Sequence, residues 1–208
     1  MLYNPAHFKK IDSSELHSFI ATYGFATVVS TKDGDTSVSH LPLMVDRSRG
    51  EFGTLIGHMA IANSHWKHLE SVDVICIFRG PYGYISPSWY VDPINVPTWN
   101  YAAVHAHGRA KLIRGEEGIE NILTKLVDHH ESQFQNPWHY ELPAAERAKL
   151  VKAIIGFEIE IKSIEGKFKL SQNRSAEDCA GAVQGVEQHY GKSNPALLAM
   201  MKEEFKKR

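Results

Sequence analysis

Three histidine-bearing stretches carry the side chains best suited to chemistry. His105-Ala106-His107 falls in a segment that reads as a strand, where residues two apart point to one face, so both imidazoles can converge. Two imidazoles can begin a metal site, but no HExxH or matched Cys/His spacing supplies a third ligand. No metal is expected, and residues lining a cleft or a barrel wall are the favoured reading. His129-His130-Glu131 lies where a helix should end, a place the helix dipole favours for histidine and a structural role. The third stretch is Gly57-His58 followed by Asn63-Ser64-His65-Trp66-Lys67. It reads as a strand end, a tight turn and a helix start capped by Asn63 or Ser64. Backbone N–H groups and polar side chains there suit a phosphate, with simple capping as the alternative. Neither a Walker loop nor GxGxxG is present.

No catalytic constellation stands out. There is no GxSxG elbow and no cysteine beside a histidine. Ser86 and Ser88 read as turn residues of a proline-rich stretch. Tyr82, Tyr84, Trp89, Tyr90, Trp99 and Tyr101 are denser than a core needs, and such aromatics line a planar ligand, an interface or a core.

These residues must be positioned by strands and helices that the pattern outlines. Ser13–Thr22 reads as a helix with Leu16, Phe19 and Ile20 on one face. Strands are expected over Phe25–Thr31, Ser37–Val45 and Phe52–His58, the first two joined by the hairpin signal Asp33-Gly34. A short helix carrying Trp66 and Leu69 precedes strands over Val72–Phe78 and Tyr82–Ser86. Pro87–Pro97 reads as a long surface loop, and a strand runs from Trp99 to Ile113. Helices follow over 116–130 and 143–152, then a last strand Ile154–Ile161, then helices over 176–188 and 195–206. Six or seven strands with inserted and appended helices predict an α+β protein built on an antiparallel barrel.

The 208 residues are 43% hydrophobic and 23% charged, enough for a sizeable core in a single domain spanning 1–208, with a helical extension over about 175–208. A net charge of -1 argues against strong sequence-independent DNA binding, which needs clustered positive charge, without excluding a local basic patch. Cys76 and Cys179 form neither a disulfide framework nor a metal knuckle and read as reduced thiols. No stretch has the apolar length of a membrane helix, and the N-terminal residues lack a signal-peptide pattern, so a soluble cytoplasmic protein is expected.

Six motifs together resemble one family. They are MLYNPAHF at the start, SHLPLMVD from Ser39, GTLIGHMAIANSHW from Gly53, GPYGYISPSWY from Gly80, VPTWNYAAVHAHGRA from Val96 and GFEIEIKSIEGKFKLSQNR from Gly156. Across residues 1–190 the chain is similar to the PaiB family, described as FMN-binding negative transcriptional regulators within the FMN-binding split-barrel superfamily. The resemblance implies an antiparallel split β-barrel like that of pyridoxamine 5′-phosphate oxidase, with appended helices. It also implies FMN as cofactor and a homodimer with flavin sites at the subunit interface. By similarity to the oxidase, His58, Asn63 and Ser64 would lie near the phosphate. Trp99, Asn100, Tyr101 and His105 would lie near the ring, and Lys169, Gln172 and Asn173 would complete the partner's site.

The resemblance implies a negative regulator of genes for degradative enzymes and sporulation. No helix-turn-helix is evident, so direct DNA binding is possible but unsupported by charge. A flavin-dependent oxidoreductase acting on a small molecule is the alternative, with the flavin supplying redox chemistry. A haem-binding or haem-degrading split barrel is a further alternative.

Overall fold

The computed structural model describes residues 2–70, 72–92 and 94–207. Met1 of the first motif, Pro93 of the proline-rich stretch and Arg208 at the end of the tail lie outside the described residues. In order, the elements are β1 (Lys9–Lys10), α1 (Ser13–Thr22), β2 (Phe25–Lys32), β3 (Asp35–Pro42), β4 (Met44–Asp46), β5 (Thr54–Ala60), α2 (Trp66–Leu69), β6 (Asp73–Ile85) and β7 (Thr98–Ile113). They continue as α3 (Glu116–Glu131), α4 (Ala144–Lys152), β8 (Ile154–Lys169), α5 (Ala176–Tyr190) and α6 (Pro195–Lys206). The eight strands form one sheet in the order β3-β2-β6-β7-β8-β5-β4, with β1 on β8.

Local chemistry explains the elements that match expectation. Asp33 and Gly34 both adopt positive φ, 53° and 92°, the twist a two-residue hairpin loop requires between β2 and β3. Ser175 caps α5 by accepting the Asp178 N–H at 3.1 Å, and Asn194 caps α6 by accepting from Leu197, ahead of Pro195. Leu16, Phe19 and Ile20 are buried together on α1.

The expected strands are redrawn in three places, each by long-range pairing. Ser37–Val45 is two strands. β3 pairs with β2 as far as Pro42, Leu43 turns into the core with its N–H on the Gly24 carbonyl (2.8 Å), and β4 pairs with β5 instead. Val72–Phe78 and Tyr82–Ser86 are one strand, β6. Its inward set changes from Val74, Cys76 and Phe78 to Gly83 and Ile85 across Pro81-Tyr82. β2 pairs only with Val74–Ile77, so Pro81 breaks no bond to it. The last strand continues from Ile161 to Lys169, because β1 pairs with it at Gly166 and Lys167.

The chain divides into two compact units. The first comprises residues 1–12, 79–104 and 165–208. Here α6 packs on β6 so closely that a Cβ on Gly83 would stand 2.6 Å from Leu197 Cδ2. The second comprises residues 13–78 and 105–164. Its apolar cluster joins Ile56 of β5 to Ile122 and Leu126 of α3, flanked by Met44 and Ile113. Each such side chain contributes about 1.5–3 kcal/mol on burial.

Candidate functional site

Two clusters hold the residues singled out above, one in each unit. In the second unit the cluster is organised by His65, which is buried between two strands. Its Nε2 hydrogen-bonds the Ser30 hydroxyl of β2 at 2.9 Å and its Nδ1 the Ser39 hydroxyl of β3 at 2.8 Å. Asn63 completes the lattice: its Nδ2 donates to Ser39 Oγ at 3.0 Å and its Oδ1 accepts the His65 N–H at 3.1 Å. His68 Nδ1 meets the Ser37 hydroxyl at 3.1 Å. Burial, with the neighbouring His68, holds the His65 pKa below the ordinary histidine value.

This geometry corrects the expected cap. α2 starts at Trp66, its N-cap is His65 in helical conformation, and no side chain caps it. Asn63 acts one step earlier by fixing the turn, and Ser64 is exposed. A helix of one turn offers little dipole, so a phosphate here would rely on the turn, the Ser64 hydroxyl and nearby cations such as the exposed Lys67. His58 stands on β5 opposite Gly156. Its Nδ1 is buried and has no hydrogen-bond partner among the described residues, and burial lowers its pKa. A buried polar atom in this state is open to a ligand or an ordered water as its partner.

In the first unit, Lys169 Nζ donates to the Thr98 hydroxyl and to the Trp99 carbonyl, the latter at 2.8 Å. Trp99 meets Tyr82 and Tyr84 with ring centroids 6.1 and 6.0 Å apart. Arg79 lies 3.9 Å above the Tyr82 ring. Asn100 faces the other side of β7 from Trp99 and Tyr101. It is fully buried, and its Nδ2 donates to Ser171 Oγ at 2.9 Å, so it braces the turn after β8. Gln172 is spent inside that turn, accepting from Leu170 N–H and donating to the Phe168 carbonyl, while Asn173 is exposed.

The six aromatics do not form one cluster. Tyr82, Tyr84 and Trp99 gather, whereas Trp89 stacks on His189 of α5 at 5.4 Å and Tyr90 lies under Arg174. His105 and His107 share the half-buried side of β7 as the alternation requires. Among the described residues no group of three or more His, Cys, Asp or Glu could hold a metal ion. His129 and His130 end α3 with rings 5.1 Å apart. Ser86 accepts the Ser88 N–H in a short 3-10 turn at Pro87–Trp89, the turn role its sequence suggested. Cys76 and Cys179 are buried and form no disulfide among the described residues, and burial raises the Cys76 pKa to about 12. No helix among the described residues is long and apolar enough to cross a membrane.

His65 stands in the third histidine-bearing stretch, but its organising role was not foreseen there. The available signal was the pair of serines, Ser30 and Ser39, at buried positions of β2 and β3.

Residues 2–163 match a family model described as "Putative FMN-binding domain". The "Protease synthase and sporulation protein PAI 2" of Bacillus subtilis (strain 168) is 34% identical over 209 residues, covering 99% of each chain. Among solved structures, the FAD and haem binding protein from Mycobacterium smegmatis superposes with a TM-score of 0.58 at 15% identity, covering 83% of this chain and 78% of that one. A flavocytochrome from Azotobacter vinelandii gives 0.57 at 17% identity, covering 77% and 69%. The structural likenesses bear on the fold, which is the expected α+β split barrel.

Proposed function

The chain belongs to the FMN-binding domain family of its Bacillus relative, and from that premise we propose that it is a PaiB-type flavoprotein acting as a negative regulator of degradative-enzyme and sporulation genes. FMN is the cofactor the family supports. The observation that carries the flavin reading is the buried His58 Nδ1, without a hydrogen-bond partner among the described residues, on the strand that leads into the turn fixed by Asn63 and His65.

The residues fit the group in kind. His58, Asn63 and Ser64 are the proposed contacts to the phosphate, with Asn63 acting by shaping the turn. Trp99, Tyr101 and His105 on β7, and Lys169 and Asn173 after it, are proposed through the resemblance as contributions at a subunit interface. Asn100 and Gln172 serve there as braces. FMN, when bound, supplies hydride and one-electron chemistry. The chain contributes orientation, an aromatic surface and a half-buried imidazole whose lowered pKa favours the neutral form.

A homodimer is proposed on the outer face of β2, β3 and β6. Phe25 and Val38 are 69% and 55% exposed there, and the register lines Val38 beside Val29 and Val29 beside Ile75. Regulation through flavin state suits this chain better than direct DNA contact, since its net charge is -1. A gel shift on promoter DNA at low and high salt tests that point: a salt-sensitive shift supports direct binding, and no shift at low salt removes it.

The second reading, an oxidoreductase acting on a small molecule, is favoured by the exposed aromatic group around Trp99. Desalted protein reconstituted with FMN should keep a flavin absorbance band, and His58→Ala should weaken retention about tenfold or more. A flavin-free spectrum in the wild type counts against both readings. A Soret band on haem addition, lost in His58→Ala, would favour haem instead.

A further inference from the structure

A cavity of about 260 Å³ opens within the second unit, where β5 ends and β8 begins. Ile61, Ile119, Val151 and Ile154 line its apolar part, and Trp66 of α2 adds an aromatic wall. Hydrogen bonds fix these walls. The Ile61 N–H donates to the Ala153 carbonyl at 2.8 Å, which carries the β5–β8 pairing one step past Ala60 and Ile154. Trp66 Nε1 donates to the Ile61 carbonyl at 2.9 Å. Ile61 nonetheless stays 49% exposed, so apolar surface is left open to water. A pre-formed concavity lined by apolar and aromatic side chains, with a few charges beside it, is the usual form of a small-molecule site.

The charges around it are unevenly paired. Arg114, Lys152 and Glu116 also line the cavity. Arg114 is held by the Glu70 carboxylate through contacts of 3.4 and 3.0 Å, and its guanidinium lies 5.8 Å from the Trp66 ring. Lys67 Nζ lies 5.7 Å from the same ring. The ammonium groups of Lys152 and Lys67 have no hydrogen-bond or ion-pair partner among the described residues. Glu70 is spent on Arg114, so these two cations stand against the single carboxylate of Glu116. The balance favours an anion over a cation.

We propose that this cavity binds a small aliphatic monocarboxylate, its chain against Ile61, Ile119 and Trp66 and its carboxylate on Lys152. The volume is at the small end for ligand sites, which suits a single short chain. The chain supplies affinity by leaving water, and the carboxylate supplies orientation through a charge-assisted hydrogen bond. None of the residues proposed as flavin contacts lines the cavity, so the inference goes beyond the flavin reading and does not depend on it.

Calorimetry on the full-length protein tests this with butanoate, hexanoate and octanoate, and with octanol and octylammonium as the neutral and cationic counterparts of octanoate. Affinity should rise about fourfold for each added methylene. Octanoate should bind about tenfold more tightly than octanol, and octylammonium more weakly still. Lys152→Met keeps the apolar stem and removes the charge, so it should bring octanoate down to the octanol level. Ile61→Trp, at a half-exposed position, should block the cavity to the whole series while the melting transition is kept; if that transition is lost, Lys152→Met decides alone. A flat chain-length series, octanoate bound no more tightly than octylammonium, or octanoate bound by either folded variant as by the wild type overturns the proposal. The titration is run with and without FMN. Equal octanoate affinity in the two supports a separate site, whereas displacement of FMN by octanoate assigns the cavity to the cofactor and overturns the proposal. If the wild type holds no flavin, the flavin reading falls alone and the same titration still decides the carboxylate site.

Discussion

Trp89 lies in a notch of α5 opened by Gly185: a Cβ at that glycine would stand 2.1 Å from Trp89 Cδ2. Gly181, one helical turn earlier, gives the Trp89 carbonyl the same room, at 2.0 Å from where its Cβ would be. The connection between β6 and β7 is therefore tied to α5, with Asp178 Oδ1 accepting the N–H groups of Val91 and Asp92 at 2.8 and 3.3 Å. Gly185→Val should expel the indole. Overpacking of this kind costs about 1–3 kcal/mol. The melting temperature should fall and the connection should become open to protease, whereas an unchanged melting curve and digestion pattern would refute the notch.

Acid should loosen the His65 lattice. Burial lowers the pKa of both His65 and His58 from the ordinary histidine value of 6.5. Below that pH the unfolded chain binds protons that the folded chain resists, so stability rises with pH. The contribution is complete above 6.5 and is lost as pH falls through the folded-state values. Melting temperature should hold steady above about pH 7 and drop by about pH 5.5. His65→Gln should flatten that drop while lowering stability at neutral pH by about 1–3 kcal/mol, since Ser30 and Ser39 lose partners. An equally steep acid drop in the variant would count against His65 as its source.

Arg49 and Glu158 form a two-pronged ion pair, with both N–H···O distances 2.7 Å. The guanidinium holds the Glu158 carboxyl below its usual range, but solvent reaches both groups. Arg49→Met should therefore cost only about 0.5–1 kcal/mol, and the difference should shrink in high salt. Denaturant titrations at two ionic strengths check this. A loss of several kcal/mol would show that the pair does more than brace the surface.

The two thiols should resist alkylation in the folded protein. Cys76 is buried with its pKa pushed up to about 12, and Cys179 donates to the Ser171 carbonyl at 2.9 Å. Iodoacetamide should label neither until denaturant is added, and rapid native labelling of Cys76 would contradict its burial.

Local signals were legible where one short segment decides the outcome. The Asp33-Gly34 turn, the apolar face of α1 and the Asn194-Pro195 start of α6 are written in adjacent residues. What escaped was set by distant partners. The split of β3 from β4 depends on β2 and β5 competing for neighbours, and the full length of β8 on the two-residue strand β1. The same holds at the site. Gly57-His58 and Asn63-Ser64 drew attention as a cluster, but His65 owes its place to serines 35 and 26 residues away. Trp89 and Trp99 look alike in sequence, yet one is seated on a helix and the other stands open beside Lys169.

The central claim, a split barrel that carries FMN, is tested most directly by native mass spectrometry of the full-length protein after FMN loading and buffer exchange. The account predicts a dimer of the 23.4 kDa chain with one FMN per protomer, and His58→Ala shifted toward flavin-free dimer. A wild-type protein that emerges without flavin, or that takes up haem and leaves FMN behind, would contradict it.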